Sequence, residues 1–122
     1  MLKKIMTVDD SSTVRSVLNR ALSGAGYQVI EAHDGQDAVE KLAQGDIDLL
    51  VTDLNMPNMG GVELIKFVRQ QPGKRFMPII MLTSESQQEM KAAGKKAGAS
   101  GWVTKPFQPE QLLSVIQMVC PA

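Results

Sequence analysis

Three aspartates, a threonine and a lysine carry the chemistry this chain can offer. Asp9 and Asp10 form an adjacent pair, and Asp53, Thr83 and Lys105 follow at intervals, each directly after or at the end of a short apolar run. Clustered carboxylate oxygens suit a hard cation such as Mg²⁺, which commonly takes one or two carboxylates, several waters and a phosphate oxygen. A hydroxyl and an ammonium can hold the other end of a phosphoryl group, the ammonium as a point charge on the developing oxyanion. Phosphoryl transfer asks little else of a protein, because positioning and electrostatics supply most of the acceleration. If the five side chains converge, they describe a phosphorylation site built on Asp53, whose carboxylate would attack phosphorus and form an acyl phosphate.

Each residue also has a plainer use. Asp53 alone reads as a turn or cap aspartate, and one of the Asp9–Asp10 pair could cap a helix together with Ser11. Thr83 and Lys105 could be surface polar groups. Against this, adjacent carboxylates brought near a third repel one another, a cost that a cation among them would remove.

The elements that must position these residues are legible as a repeated change of period. Strand-like runs cover residues 5–8, 27–32, 49–52, 78–82 and 101–104. Between them apolar residues recur at helical spacing. Val14, Val17, Leu18, Ala21 and Leu22 form the first such set, with Ser11 and Ser12 as caps and Gly24 as a stop. Ala38, Val39, Leu42 and Ala43 form the second, capped by Asp34 and ended by Gly45, and Val62, Ile65 and Val68 the third, stopping near Pro72-Gly73. A weaker helix runs from about Ser86 to Ala97, and Leu112, Leu113, Val115, Ile116 and Val119 mark the last. Leu49-Leu50-Val51 and Ile79-Ile80-Met81-Leu82 are apolar without alternation, so both faces of these strands are covered and the sheet is parallel. The expected fold is α/β, a doubly wound five-stranded parallel sheet with five helices. Right-handed crossovers put every strand-to-helix loop on one edge, where function belongs.

Composition bounds the rest. At 122 residues the chain reads as one domain, and thirteen basic against thirteen acidic residues give no net charge, which disfavours a generic nucleic-acid or membrane surface. No apolar stretch is long enough to span a bilayer, and no signal-peptide pattern follows Met1-Leu2-Lys3-Lys4, so a cytoplasmic protein is expected. A single cysteine, Cys120, cannot form an internal disulfide and reads as a helix-end filler. His33 reads as a solvated loop residue, and the methionines as fillers. Lys91, Lys95 and Lys96 make a solvated face or a mobile docking surface on the fourth helix, which Gly94 weakens.

Four ordered segments, Val8-Asp9-Asp10-Ser11-Ser12, Asp53 to Met59, Thr83-Ser84-Glu85 and Ala97 to Phe107, resemble the signature segments of two-component receiver domains. The resemblance covers essentially the whole of residues 1–122, and the Asn-Met-Pro-Asn-Met loop is most similar to the single-domain chemotaxis regulators of the CheY branch. It implies a flavodoxin-like strand order, 2-1-3-4-5, and a protein whose only chemistry is its own phosphorylation and dephosphorylation. Asp53 would take its phosphoryl group from a histidine kinase. Asp10, Asp53 and the backbone carbonyl of Asn55 would ligate Mg²⁺, with Asp9 acting mainly through water. Thr83 and Lys105 would bind the phosphoryl oxygens, and Lys105-Pro106 would be a cis peptide. Thr83 and Trp102 would form the switch, with Lys91, Lys95 and Trp102 on a partner face made by the fourth helix, fifth strand and fifth helix. The implied protein is a monomer acting on a downstream protein such as the flagellar motor switch, or else a phosphate sink or relay intermediate. Two positions depart from the family pattern: Gly60 replaces the usual acidic residue, and Trp102 the usual tyrosine or phenylalanine.

Two other classes fit less well. Phosphatases of the haloacid dehalogenase type need a second acid two residues after the nucleophile, which here is Asn55, and place the nucleophile after the first strand. A flavin-binding module would want small and hydroxyl residues after the first strand, where this chain has carboxylates.

Overall fold

The computed structural model describes residues 2–122, with only the backbone described at Glu85. Strands β1 (Lys4–Val8), β2 (Gln28–Ala32), β3 (Leu49–Asp53), β4 (Ile79–Thr83) and β5 (Gly101–Thr104) alternate with helices α1 (Ser12–Gly24), α2 (Gly35–Leu42), α3 (Gly61–Gln70), α4 (Gln88–Ala97) and α5 (Pro109–Val119). All strand pairs are parallel and the sheet order is β2-β1-β3-β4-β5. This is the doubly wound flavodoxin-like fold expected from the alternation of periods and from the receiver resemblance.

The unbroken apolar runs are explained by two cores. Ile5, Leu49, Val51, Ile80, Leu82 and Val103 point to one face and pack with Leu18 and Leu22 of α1 and Leu112 and Ile116 of α5. Met6, Val8, Leu50, Ile79 and Met81 point to the other, against Ala38 of α2 and Leu64, Ile65 and Val68 of α3. Neighbouring residues in β3 and β4 are thus buried on opposite sides, and every residue of both strands is buried.

Side-chain caps set the starts of two helices, while α2 ends at Leu42, short of the Gly45 expected to stop it. Ser11 caps α1 by accepting from the Val14 N–H, and Asp34 caps α2 by accepting from the Asp37 N–H. The structure differs from the sequence reading at α4, where residues 85–87 form a 3₁₀ turn before the α-helix begins. The Gln87 side chain accepts the Ser84 N–H at 2.8 Å, which tightens that turn. Gly94 also has a packing role: a Cβ there would lie 2.3 Å from the Met81 sulfur, so the glycine lets α4 settle onto β4. Tyr27 stands just outside β2, with its hydroxyl donating to the Cys120 carbonyl at 2.6 Å and tying the end of α5 to the start of the strand. Cys120 is buried there as the C-cap of α5. Among the described residues no helix is long and apolar enough to cross a membrane.

Candidate functional site

Strand register brings the chemistry-bearing residues to one edge. Val8 pairs with Thr52, so Asp9, one residue on, is level with Asp53 at the end of β3. Asp53 pairs with Leu82, and Thr83 with Thr104, so Lys105 follows immediately on the far side. Polar side chains 96 residues apart in sequence, Asp9 and Lys105, meet at 3.2 Å.

The three carboxylates form one cluster. Asp9, Asp10 and Asp53 each offer an oxygen, and these lie within 4.8 Å of one another, with Asp9 and Asp53 buried and Asp10 exposed. Asp9 Oδ1 accepts the Ser11 N–H at 2.9 Å, and Arg15 Nη1 donates to the Asp9 carbonyl at 2.6 Å. Asp53 Oδ1 accepts the Leu54 N–H at 2.9 Å. Lys105 Nζ bridges the two buried acids, 3.2 Å from Asp9 Oδ2 and 3.2 Å from Asp53 Oδ1. The Lys105-Pro106 bond is cis. Thr83 is buried at the end of β4, and Asn55 is exposed in the loop after Asp53. The Glu85 side chain of the Thr83-Ser84-Glu85 segment lies outside the described residues.

Burial raises the Asp53 pKa above the ordinary aspartate value, and the neighbouring Asp9 charge adds to this while Lys105 opposes it. Burial also works against the Lys105 ammonium, but Asp53 and Asp9 together hold its pKa above the ordinary lysine value. Both directions are compatible because one ammonium serves two carboxylates. An all-oxygen donor set of three converging carboxylates fits a hard divalent cation.

A stability test follows from the raised Asp53 pKa. Ionised Asp53 costs the fold free energy at neutral pH, and this cost disappears once pH falls below the unfolded-state value and the group is protonated in both states. Asp53→Asn should therefore melt higher than wild type at pH 7 without metal, about 3–5 °C for each ~1 kcal/mol relieved. The advantage should shrink as pH falls through the folded-state pKa. Thermal melts of both proteins from pH 7 to pH 3.5 check the sign and the trend.

Trp102 lies on β5, opposite Met81, and is about two-fifths exposed. Lys91 Nζ and Lys95 Nζ, one helical turn apart on α4, sit over its ring at 4.3 and 3.9 Å from the centroid. The three residues read from sequence as a partner face are thus in direct contact. Gly60 is the N-cap of α3 and provides no side-chain acceptor. His33 is mostly exposed beside Asp34 and Asp37.

Residues 5–117 match the response regulator receiver domain family. The chain belongs to the response regulator receiver family. This receiver is 42% identical over 118 residues to the chemotaxis protein CheY1 of Helicobacter pylori, an alignment covering 95% of each chain. It is 44% identical to the chemotaxis response regulator CheY4 of Vibrio cholerae, whose solved structure superposes with a TM-score of 0.91 over 98% of this chain and 99% of that one. It is also 37% identical over 119 residues to the alkaline phosphatase synthesis transcriptional regulatory protein PhoP of Bacillus subtilis, covering 98% of this receiver but 49% of that protein.

Sequence reasoning missed two features of the site. One is the direct Lys105 bridge to Asp9, which depends on register. The other is a contact between the loops after β2 and β3, where Asn58 meets Asp34 at 2.7 Å. The only sequence signal for the second was that both residues are turn formers.

Proposed function

We propose that this receiver is a phosphorylation-driven switch, with Asp53 accepting a phosphoryl group from a histidine kinase and a change at α4, β5 and α5 altering the binding of a downstream protein. The observation that carries this reading is the Lys105 ammonium bridging Asp9 and Asp53 within a three-carboxylate cluster. Asp10, Asp53 and the Asn55 carbonyl would hold Mg²⁺, with Asp9 contributing through water. When bound, the ion neutralises the clustered charge and that of the incoming phosphoryl oxygens.

The chain's own residues do the rest. Asp53 Oδ1 already accepts from Leu54 and Lys105, which leaves Oδ2 as the attacking atom. Its bond to phosphorus forms as the phosphorus–nitrogen bond to the kinase histidine breaks, and the electron pair stays on the imidazole. Lys105 shifts from the Asp53 carboxylate to a phosphoryl oxygen, and the Thr83 hydroxyl donates to another. No second substrate is turned over.

Drawing Thr83 toward the new oxyanion opens space between β4 and β5 into which the Trp102 indole can turn, away from Lys91 and Lys95. Each cation–π contact at such a site is worth about 0.5–1 kcal/mol, small enough for a charged ligand to overcome through its differential affinity for the two states. The relatives named above as chemotaxis proteins support a chemotaxis kinase upstream and the flagellar motor switch downstream. The receiver would act in the cytoplasm as a monomer.

Beryllofluoride with Mg²⁺ should change the emission of Trp102, the only tryptophan. Asp53→Asn should abolish the change and Thr83→Ala should uncouple most of it from anion binding. Identical emission, quencher access and partner affinity before and after saturation would place the switch elsewhere.

A further inference from the structure

The loop that leaves Asp53 is held partly by its own backbone bonds, Met59 N–H to the Pro57 carbonyl and Gly61 N–H to the Leu54 carbonyl, and partly from outside. Between Asp53 and α3, Leu54 and Met56 are buried and Asn55 is exposed between them. Asn58 stands at φ +67°, alone among the described non-glycine residues in having a positive φ. Asn and Asp tolerate that region better than other side chains, though still at a cost, so the conformation needs outside support. Two bonds from the β2–α2 turn provide it. The Asn58 side-chain amide donates to Asp34 Oδ2 at 2.7 Å, and the Gly35 N–H donates to the Met59 carbonyl at 3.0 Å. The approach is close enough to require glycine: a Cβ at Gly35 would lie 2.6 Å from the Met59 carbonyl oxygen.

Asp34 is fixed independently of this contact. It is 2% exposed, and its Oδ1 accepts the Asp37 N–H at 2.7 Å as the cap of α2. That N–H, followed by the Asn58 amide, holds the Asp34 carboxyl below the ordinary aspartate range, so the acceptor is ionised. A rigid, charged acceptor on one loop thus grips an exposed residue held at a costly dihedral on the next.

We propose that Asp34 is a positioning residue for the phosphorylation site: by holding Asn58 in the left-handed conformation it fixes the path of residues 54–57, and with it the Asn55 carbonyl assigned to Mg²⁺. The inference rests on the reading of Asp53 as phospho-acceptor. It adds a residue that touches neither metal nor phosphoryl group but sets how well the site binds the ion.

Helix capping and loop positioning can be separated because they use different oxygens. Asp34→Asn keeps a cap acceptor but replaces the ionised acceptor with a neutral NH₂, so the Asn58 amide can pair with it only by flipping, through a weaker, uncharged bond. Asn58→Ala removes the amide from an exposed residue without changing charge and without touching the α2 cap. The double variant D34N/N58D restores a donor–acceptor pair in the reverse sense and has the net charge of wild type.

Mg²⁺ is titrated against each protein, with melting temperature as a readout that needs no phosphorylation, and against the rate of labelling by acetyl phosphate. Asn58→Ala should raise the half-saturating Mg²⁺ concentration about 10-fold, as loss of a partner behind a metal ligand typically does, and Asp34→Asn should raise it by a smaller factor. The labelling rate at saturating Mg²⁺ should stay near that of wild type, and D34N/N58D should recover much of the lost affinity. Should Asp34→Asn fail to fold, Asn58→Ala carries the test alone. Unchanged half-saturation in Asn58→Ala, or a double variant no better than Asp34→Asn, would overturn the proposal. If wild type takes no label at Asp53, the phospho-acceptor reading fails instead, while the Mg²⁺ titrations still decide the positioning role.

Discussion

Asp10→Ala is expected to lose most of the Mg²⁺-dependent rise in melting temperature while melting no lower than wild type in the absence of metal. Asp10 is the exposed member of the carboxylate cluster, so its removal opens no cavity and relieves repulsion on Asp9 and Asp53. A ligand that binds only the folded state stabilises by mass action: about 2.7 kcal/mol when Mg²⁺ is at 100 times Kd, and about 0.4 kcal/mol if the lost ligand weakens the site ~100-fold. In a domain of this size the difference is roughly 7–12 °C of melting temperature. Calorimetry with and without saturating Mg²⁺ measures it, and a full Mg²⁺ shift in the variant would remove Asp10 from the ligand set.

Lys105→Ala is expected to act in the opposite sense on the metal-free fold and to impair phosphorylation far more. The ammonium is the shared partner of two buried carboxylates, and its side chain is 28% exposed against 1% for Asp9 and 8% for Asp53. Removing one partner of a fully buried pair costs about 3–5 kcal/mol, and partial exposure of Lys105 reduces that to roughly 1–3 kcal/mol. Mg²⁺ should restore part of this stability, since it supplies positive charge to the same oxygens. It should not restore the rate. A preorganised donor aimed at a developing oxyanion is typically worth ~10²–10³ in rate, and the labelling rate with acetyl phosphate at saturating Mg²⁺ should fall by about that factor. A loss of rate fully repaired by excess Mg²⁺ would show that Lys105 acts only by neutralising the cluster.

Much of this site was legible because its residues sit where the apolar pattern stops. The runs ending at Val8, Thr52, Leu82 and Thr104 located the sheet edge before any strand was paired. The structure carries β3 through Asp53 and β4 through Thr83, one residue beyond the apolar runs. A polar residue ending a strand looks the same in sequence as one beginning a loop. The Lys105–Asp9 bridge depended on how Val8 registers with Thr52 and Thr83 with Thr104, information that belongs to strand pairing. Gly94 was legible only as a weak point in α4, since the Met81 sulfur that fills the space comes from another element. Asp34 announced a helix cap and Asn58 a loop, but nothing in their sequence separation showed that the two share a hydrogen bond.

The central claim is that Asp53 is the phospho-acceptor, and intact-mass measurement after incubation with acetyl phosphate and Mg²⁺ tests it most directly. Wild type is expected to gain a single phosphoryl group, mapped by peptide analysis to Asp53, and Asp53→Asn to gain none. Undiminished labelling of Asp53→Asn would contradict the account.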